Sequence, residues 1–405
     1  MQKNYKTTMW ACYVGYITQA VVNNFVPLLF VTFNKTFDIP IEKITLLVTV
    51  NFALQLCVDA ISTKLVAKIG YRASALIAHV CAGAGLIMLS FLPSITPDPF
   101  IGILACVTVY AVGGGLIEVI ISPIVEACPT ENKEKTMSML HSFYCWGHVG
   151  VVLLSTGFFA LFGVENWRIL SVIWAIVPLV NVILFSFAPI YTLEGDEGGK
   201  SSIGKLLKSG TFWLFMLMMV CAGASEQAVS QWASAFAETG LNISKTAGDL
   251  LGPMTFAFTM GLSRLIFGKS GEKLKLNVFM AFSTVLCVIS YLMIALVKNA
   301  AVGLIGCALC GFSVGIMWPG MYSKASKSMP WGGTAMFALL ALGGDVGCSA
   351  GPTLAGMVSS LFDGRLQAGI LAATVFPALM LIALIFYGIY EKKKKKDFRS
   401  PEKDE

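Results

Sequence analysis

Long apolar runs, broken by short charged or Pro/Gly-rich segments, divide the chain into twelve stretches near 10–32, 45–66, 74–93, 100–125, 137–161, 168–189, 211–237, 247–268, 277–297, 300–323, 333–361 and 367–390. A membrane-crossing helix needs about 20 mostly apolar residues, so each stretch predicts one span. They fall as six, a break, and six. The break, residues 191–209 (YTLEGDEGGKSSIGKLLKS), has the charge, glycine and serine of a hydrated linker. The pattern predicts an all-α, polytopic membrane protein with twelve transmembrane helices in two six-helix halves: a bundle over 1–190, a cytoplasmic linker over 191–209, a second bundle over 210–391 and a basic tail over 392–405.

The halves echo one another. Pro123 closes the fourth apolar run of the first half and Gly147 follows 24 residues later; Pro319 closes the fourth run of the second half and Gly343 follows 24 residues later. The first runs also correspond, Gln19-Ala-Val-Val-Asn23-Asn24 against Gln227-Ala-Val-Ser-Gln231-Trp232. Two related six-span halves describe an alternating-access transporter, with its site between the halves near the bilayer midplane.

Composition agrees. Of the 405 residues, 56% are hydrophobic and 13% charged, where a soluble domain carries about 25% charge. A water-soluble enzyme, a nucleic-acid binder and a disordered chain are excluded. Charge placement adds an orientation. With the N-terminus inside, 23 lysines and arginines fall in inner segments and six in outer ones, so both ends are expected in the cytoplasm of a plasma (inner) membrane protein. Lys392–Lys396 then reads as a topology anchor at anionic head groups rather than a binding site. The cysteines sit almost all in apolar runs and the His/Cys spacing matches no metal motif, so neither a disulfide framework, a metal nor a cofactor is expected. The N-terminal segment lacks the pattern of a cleavable signal.

The loop after the second run reads Lys64-Leu-Val-Ala-Lys68-Ile-Gly70-Tyr-Arg72. It is similar to the basic loop of the major facilitator superfamily, with Ala67 where that loop has an acid; Gly261-Leu-Ser-Arg264-Leu-Ile-Phe-Gly268-Lys269 is a weaker echo. Within the superfamily the chain resembles the fucose–galactose–glucose:proton symporter family. The resemblance rests on Gly115-Leu-Ile-Glu118-Val-Ile-Ile-Ser122-Pro123, Leu140-His141 with Gly147, Gly223-Ala-Ser-Glu226 with Trp232, Trp318-Pro319, and Gly343-Gly-Asp345-Val-Gly347. Ser122 stands where the family has asparagine. Asn23, four residues before Pro27, stands where some fucose-transporting members have an aspartate. The resemblance implies a twelve-helix sugar symporter in which Glu118 carries the proton.

Charged side chains are costly within a bilayer, and those present usually face the bundle interior and work. Four carboxylates qualify: Asp59, Glu118, Glu226 and Asp345. Tyr110, Gly114, Glu118 and Ser122 share one helix face, and Glu118 is read as a carboxyl that loads and releases a proton, against a hydrogen-bonded structural acid. Glu226, Gln227, Ser230, Gln231 and Ser234 form a polar stripe with Trp232 beside it, suited to sugar hydroxyls and an apolar ring face, or to a polar contact between helices. Tyr16, Gln19 and Asn23 form the matching stripe on the first run, and Asn51, Gln55 and Asp59 recur every fourth residue on the second. Asp59, Lys68 and Arg72 are expected at a gate or a helix-packing salt bridge. Asp345, among glycines, is either a second proton site or a partner across the halves. His141 is either a relay to Glu118 or a packing residue; His79 and His148 read as structural, and Arg264 as reaching out to the head groups.

The expected function is proton-coupled uptake of a monosaccharide or similar neutral polyol by a monomer. Anionic substrates are disfavoured because no arginine or lysine is placed at mid-membrane. The rivals are an exporter of drugs or metabolites from the same superfamily, disfavoured by the amide stripes, and a membrane sensor, disfavoured by a tail too short for an output domain. No HExxH or GxSxG cluster suggests an enzyme.

Overall fold

The structure, a computed structural model, describes residues 5–130, 133–191, 199–270 and 276–399. The described residues form helices and turns, with no strand. Among the described residues, eleven helices are long and apolar enough to cross a membrane: span 1 (Tyr5–Phe37), span 2 (Ile41–Ser62), span 3 (Lys68–Ile95), span 4 (Pro99–Val125), span 5 (Met139–Phe162), span 6 (Val164–Phe187), span 7 (Gly210–Gly240), span 8 (Lys245–Phe267), span 9 (Leu276–Leu296), span 10 (Ala300–Ala325) and span 12 (Leu366–Glu391). The remaining expected span forms as well, as the 29-residue helix Gly333–Leu361, here span 11, which carries Asp345 and Pro352. The fold is the expected all-α, twelve-helix arrangement. The end carrying Tyr5 and Glu391 is called inner below, after the lysine and arginine count.

Local chemistry sets where spans begin. Asp98 accepts from Phe100 N–H at 2.9 Å ahead of Pro99, Ser209 accepts from Phe212 N–H at 3.4 Å, and Asn299 accepts from Ala301 N–H at 2.9 Å. Each side chain satisfies a donor that a helix start leaves open. Spans 2 and 3 form one 55-residue helical run turned at Gly70, whose φ of 81° and ψ of 160° lie where glycine alone is comfortable. Two residues on, Arg72 Nη1 and Nη2 donate to the carbonyls of Phe185 (2.8 Å), Ser186 (2.5 Å) and Ala188 (2.8 Å), capping span 6. The basic loop thus ties span 3 to span 6 within the first half.

The linker expected over 191–209 is in part a short helix, Gly199–Leu207, with Leu206 buried; Leu206 and its apolar neighbours give an otherwise polar segment something to dock. Residues 192–198 and 400–405 lie outside the described residues, and the tail continues span 12 as helix to Arg399.

Burial is inverted relative to a protein in water. Ile101, Leu154, Ile183 and Phe386 are exposed along the spans, while Gln19, Gln55, Gln227 and Gln231 are buried. Lipid tails take the apolar rim, and the polar groups must satisfy one another inside. The chain is a multi-pass membrane protein.

The repeat seen in the sequence reappears as packing. Gly147 of span 5 lies on span 1, where an added Cβ would stand 2.9 Å from Ala20 Cβ; Gly343 of span 11 lies on span 7, where it would stand 2.3 Å from Met216 Sδ. The halves meet along span 2 against span 11 and span 5 against span 8.

Candidate functional site

The polar stripes of spans 1, 2, 4 and 7 converge where the halves meet. Gln19 Nε2 donates to Gln55 Oε1 at 3.0 Å and reaches Glu118 Oε2 at 3.3 Å. Gln55 Nε2 donates to Asn23 Oδ1 at 2.9 Å, and Asn51 Nδ2 reaches the same oxygen at 3.4 Å. On the inner side of this ladder Tyr16 OH lies 3.1 Å from Ser122 Oγ, and the Tyr16 ring stands edge-on to His141 at 5.2 Å between centroids. His141 is therefore linked through Tyr16 to a residue one turn from Glu118.

Span 7 continues the ladder from the other half. Gln231 Nε2 donates to Gln227 Oε1 at 3.0 Å, and Gln227 Nε2 reaches Glu226 Oε1 at 3.3 Å. Gln231 Nε2 also donates to the backbone carbonyl of Asn23 at 3.1 Å. The chain geometry explains this last bond. In a helix the Asn23 carbonyl would accept from residue 27, but Pro27 has no N–H. Span 1 breaks there into a 3₁₀ turn, Val26–Leu29, and the freed carbonyl takes a donor from the second half.

The same device draws in Arg264. Pro319 frees the carbonyl of Gly315, and Arg264 Nε donates to it at 3.2 Å. The guanidinium also lies 3.8 Å from Glu226 Oε2 and 3.1 Å from Cys145 Sγ across the halves. Arg264 thus points inward rather than to the head groups. The sequence-based ground for disfavouring anionic substrates, an absence of basic groups at the centre, falls with it. So close to a helix end, snorkelling and inward pairing both satisfy the charge. Pro319, four residues after Gly315, was the signal that an inward donor was wanted.

Three of the four embedded acids gather in one place. Asp59 of span 2, Glu118 of span 4 and Asp345 of span 11 each bring a carboxylate oxygen within 4.8 Å of the others. Among the described ion pairs none involves these three; Glu226 alone of the four has a basic partner. Like charges no more than 4.8 Å apart repel by about 3.5 kcal/mol or more at an effective dielectric constant of about 20. The group therefore calls for protons or a cation.

Other expected residues lie elsewhere or are closed off. Tyr110 is buried and, with Asn23, Asn51 and Gln231, lines a narrow cavity with room for about one water. Ser230 is buried in span 7. Trp232 is 1% exposed, its ring against Phe30 at 5.2 Å and its Nε1 donating to Pro352 O at 3.0 Å. Arg72 makes the span 6 cap already described, Lys68 is exposed, and neither is brought to the acids. His148 is buried in span 5, and His79 donates from Nδ1 to Ala75 O at 2.7 Å while its Nε2 accepts from Asn181 Nδ2 at 2.8 Å.

The outer end is tied shut by residues that the sequence reading passed over. Thr49 and Thr353 hydroxyls lie 2.5 Å apart, and Lys35 pairs with Glu238 at 2.8 Å, each across the halves. Asp249, 1% exposed, accepts from Lys245 Nζ at 2.8 Å and from Ser234, and Thr156 of the first half reaches it at 3.4 Å.

This arrangement has relatives of known structure. A fucose:proton symporter from E. coli shares 16% identity at a TM-score of 0.65, with 95% of this chain and 99% of that one covered. A D-xylose-proton symporter shares 14% identity at a TM-score of 0.75, covering 94% and 96%. A nucleoside transporter shares 11% identity at a TM-score of 0.76, covering 94% and 99%. At such identities the likeness speaks for the fold. No curated protein matches the chain in sequence. The sequence profile of the Major Facilitator Superfamily matches residues 12–352, most of the chain, and with the twelve-helix fold and its site between the halves, the chain belongs to that superfamily.

Proposed function

We propose that this transporter takes up a monosaccharide or similar polyol together with protons, as a monomer in the plasma membrane with both termini in the cytoplasm. The observation that carries the reading is the amide ladder Gln19–Gln55–Asn23 meeting Gln231–Gln227 across the halves. Amides and hydroxyls on both sides of one seam offer the donors and acceptors that a ring of hydroxyls needs. They also exchange partners at little cost when the halves move, because each can bond to its neighbour or to the cargo. Glu118 touches the ladder through Gln19, so its protonation alters the hydrogen bonding that the substrate meets. His141 and Tyr16 offer a route for that proton from the inner end. An exporter of apolar drugs fits less well, since it would leave this many buried amides without polar cargo.

The test is uptake into proteoliposomes. The wild-type chain accumulates a labelled sugar under an inward proton gradient. Glu118→Gln loses accumulation, by about tenfold or more as expected of a group that moves the proton, and keeps sugar exchange. Full gradient-driven accumulation by Glu118→Gln removes Glu118 from the proton path; no uptake of any sugar or polyol by the wild type removes the substrate reading.

A further inference from the structure

Asn51 of span 2 is 5% exposed and lines the narrow cavity beside the amide ladder. Its Nδ2 is turned to Asn23 Oδ1 at 3.4 Å. The ladder sets that orientation. Gln19 Nε2 donates to Gln55 Oε1, so Gln55 offers Nε2 to Asn23, and Asn23 presents an oxygen that only a donor from Asn51 can meet. The other end of the Asn51 amide is left over: Oδ1 is buried with no hydrogen-bond partner. Tyr110, which is 2% exposed and lines the same cavity, does not supply one. Gln231 Nε2 is committed to Gln227 Oε1 and to Asn23 O. The remaining lining is apolar and includes Val26, Phe30 and Leu47. Val26 and Phe30 follow Asn23 toward the outer end of span 1, and Leu47 stands outward of Asn51 on span 2, so the cavity lies on the outer side of the ladder.

A buried acceptor without a donor is costly, and the residues around Asn51 Oδ1 have none to spare. The donor must come from what enters the cavity. Room for about one water admits a group of hydroxyl size. Chemistry narrows the choice further. An alcohol donates its O–H to Asn51 Oδ1 while its oxygen accepts from the Tyr110 hydroxyl. A carbonyl or an ether cannot donate, and an ammonium cannot accept. We infer that this cavity is a notch for one hydroxyl of the cargo, and that Asn51 is the residue that selects it. This selectivity rests on the polyol reading and sharpens it. The amide ladder suits hydroxyls in general, whereas the notch reads a single position of the ring. At that position an O–H is required, fluorine fails for want of a proton, and a methyl ether fails on size as well.

The test uses the full-length chain in proteoliposomes, at one fixed pH, with the sugar or polyol that the wild type exchanges. Analogues with a single hydroxyl replaced by fluorine or by a methyl ether, one ring position at a time, compete against the labelled parent. They are compared in the wild type and in Asn51→Leu, which keeps the side chain's size and removes the acceptor. Asn23 Oδ1 still accepts from Gln55 in that variant, at 2.9 Å in the present structure, so the ladder stands. The expected result is one position at which both replacements weaken binding to the wild type by about tenfold or more. In Asn51→Leu the parent is weakened by a similar factor and the fluorine penalty at that position disappears, while penalties at the other positions remain. A loss of folding alone would not move one position and spare the rest. Penalties that are the same in both proteins at every position overturn the notch, and a trapped water then satisfies Asn51. If Asn51→Leu does not fold, the wild-type series decides: no position intolerant of both replacements overturns the notch as well. The cargo is read separately. A chain that exchanges no sugar or polyol sinks the polyol reading and the notch with it; one that exchanges a sugar with no Asn51-dependent position sinks the notch alone.

Discussion

Arg264 shows how one side chain's direction is set. Its guanidinium reaches a carbonyl freed by Pro319, a carboxylate at 3.8 Å and a thiol at 3.1 Å, which together outweigh water at the head groups. Removing either partner of the ion pair leaves the other charge largely buried and poorly satisfied. Arg264→Gln and Glu226→Gln are each expected to lower stability by about 1–3 kcal/mol. The double variant should recover part of that loss, since no lone charge remains. Melting temperatures of the four proteins in detergent form the cycle; strictly additive losses would mean the two residues do not interact.

At the level of elements, prolines and glycines do the positioning. Pro27 and Pro319 each break a span and free a carbonyl, and each carbonyl binds a polar side chain of the site. Glycines let spans 7 and 11 touch backbone to backbone. An added Cβ at Gly347 would lie 2.0 Å from Val220 O, and one at Gly223 would lie 2.2 Å from Gly344 O. Side chains cannot yield where the obstacle is backbone. Gly347→Val should therefore cost about 3 kcal/mol or more, beyond ordinary overpacking, and abolish the folded peak in size-exclusion chromatography. Gly150→Ala, with nothing within 4 Å of the new atom, should leave folding intact. A well-folded Gly347→Val protein would contradict the close approach of the two spans.

For the whole molecule, the outer ends of the halves are joined, and a narrow cavity lined by Asn23, Asn51, Tyr110 and Gln231 lies at the amide ladder. Alternating access requires these ties to break once per cycle. Thr49→Cys combined with Thr353→Cys places two thiols where the hydroxyl oxygens are 2.5 Å apart, within reach of a disulfide. Oxidation should cross-link the pair and stop transport, and reduction should restore it; each single variant should be unaffected by oxidant. Failure of the pair to cross-link in membranes would mean that the outer ends do not close this way.

Span number, the six-plus-six division, the polar stripes and the four embedded acids were all legible in the sequence, because a bilayer imposes a length and a polarity on every segment that crosses it. The same logic marked Gln19, Asn23, Glu118, Glu226 and Asp345 as inward-facing. What the stripes could not show was which of them meet. Asp59 was read as part of a gate or a helix-packing salt bridge near the basic loop; that it lies with Glu118 and Asp345 was not readable. Gln55, noted only for its spacing, is the hub of the amide ladder. Arg264 was assigned to the head groups, and the Lys245–Asp249 pair at the start of span 8 was passed over. Helical periodicity fixes the face a residue occupies within its own span, but the rotation of each span and the neighbour it meets depend on packing summed over all twelve helices. The tertiary structure alone decided how the acids are grouped, where the one central guanidinium goes and which end of the bundle is closed.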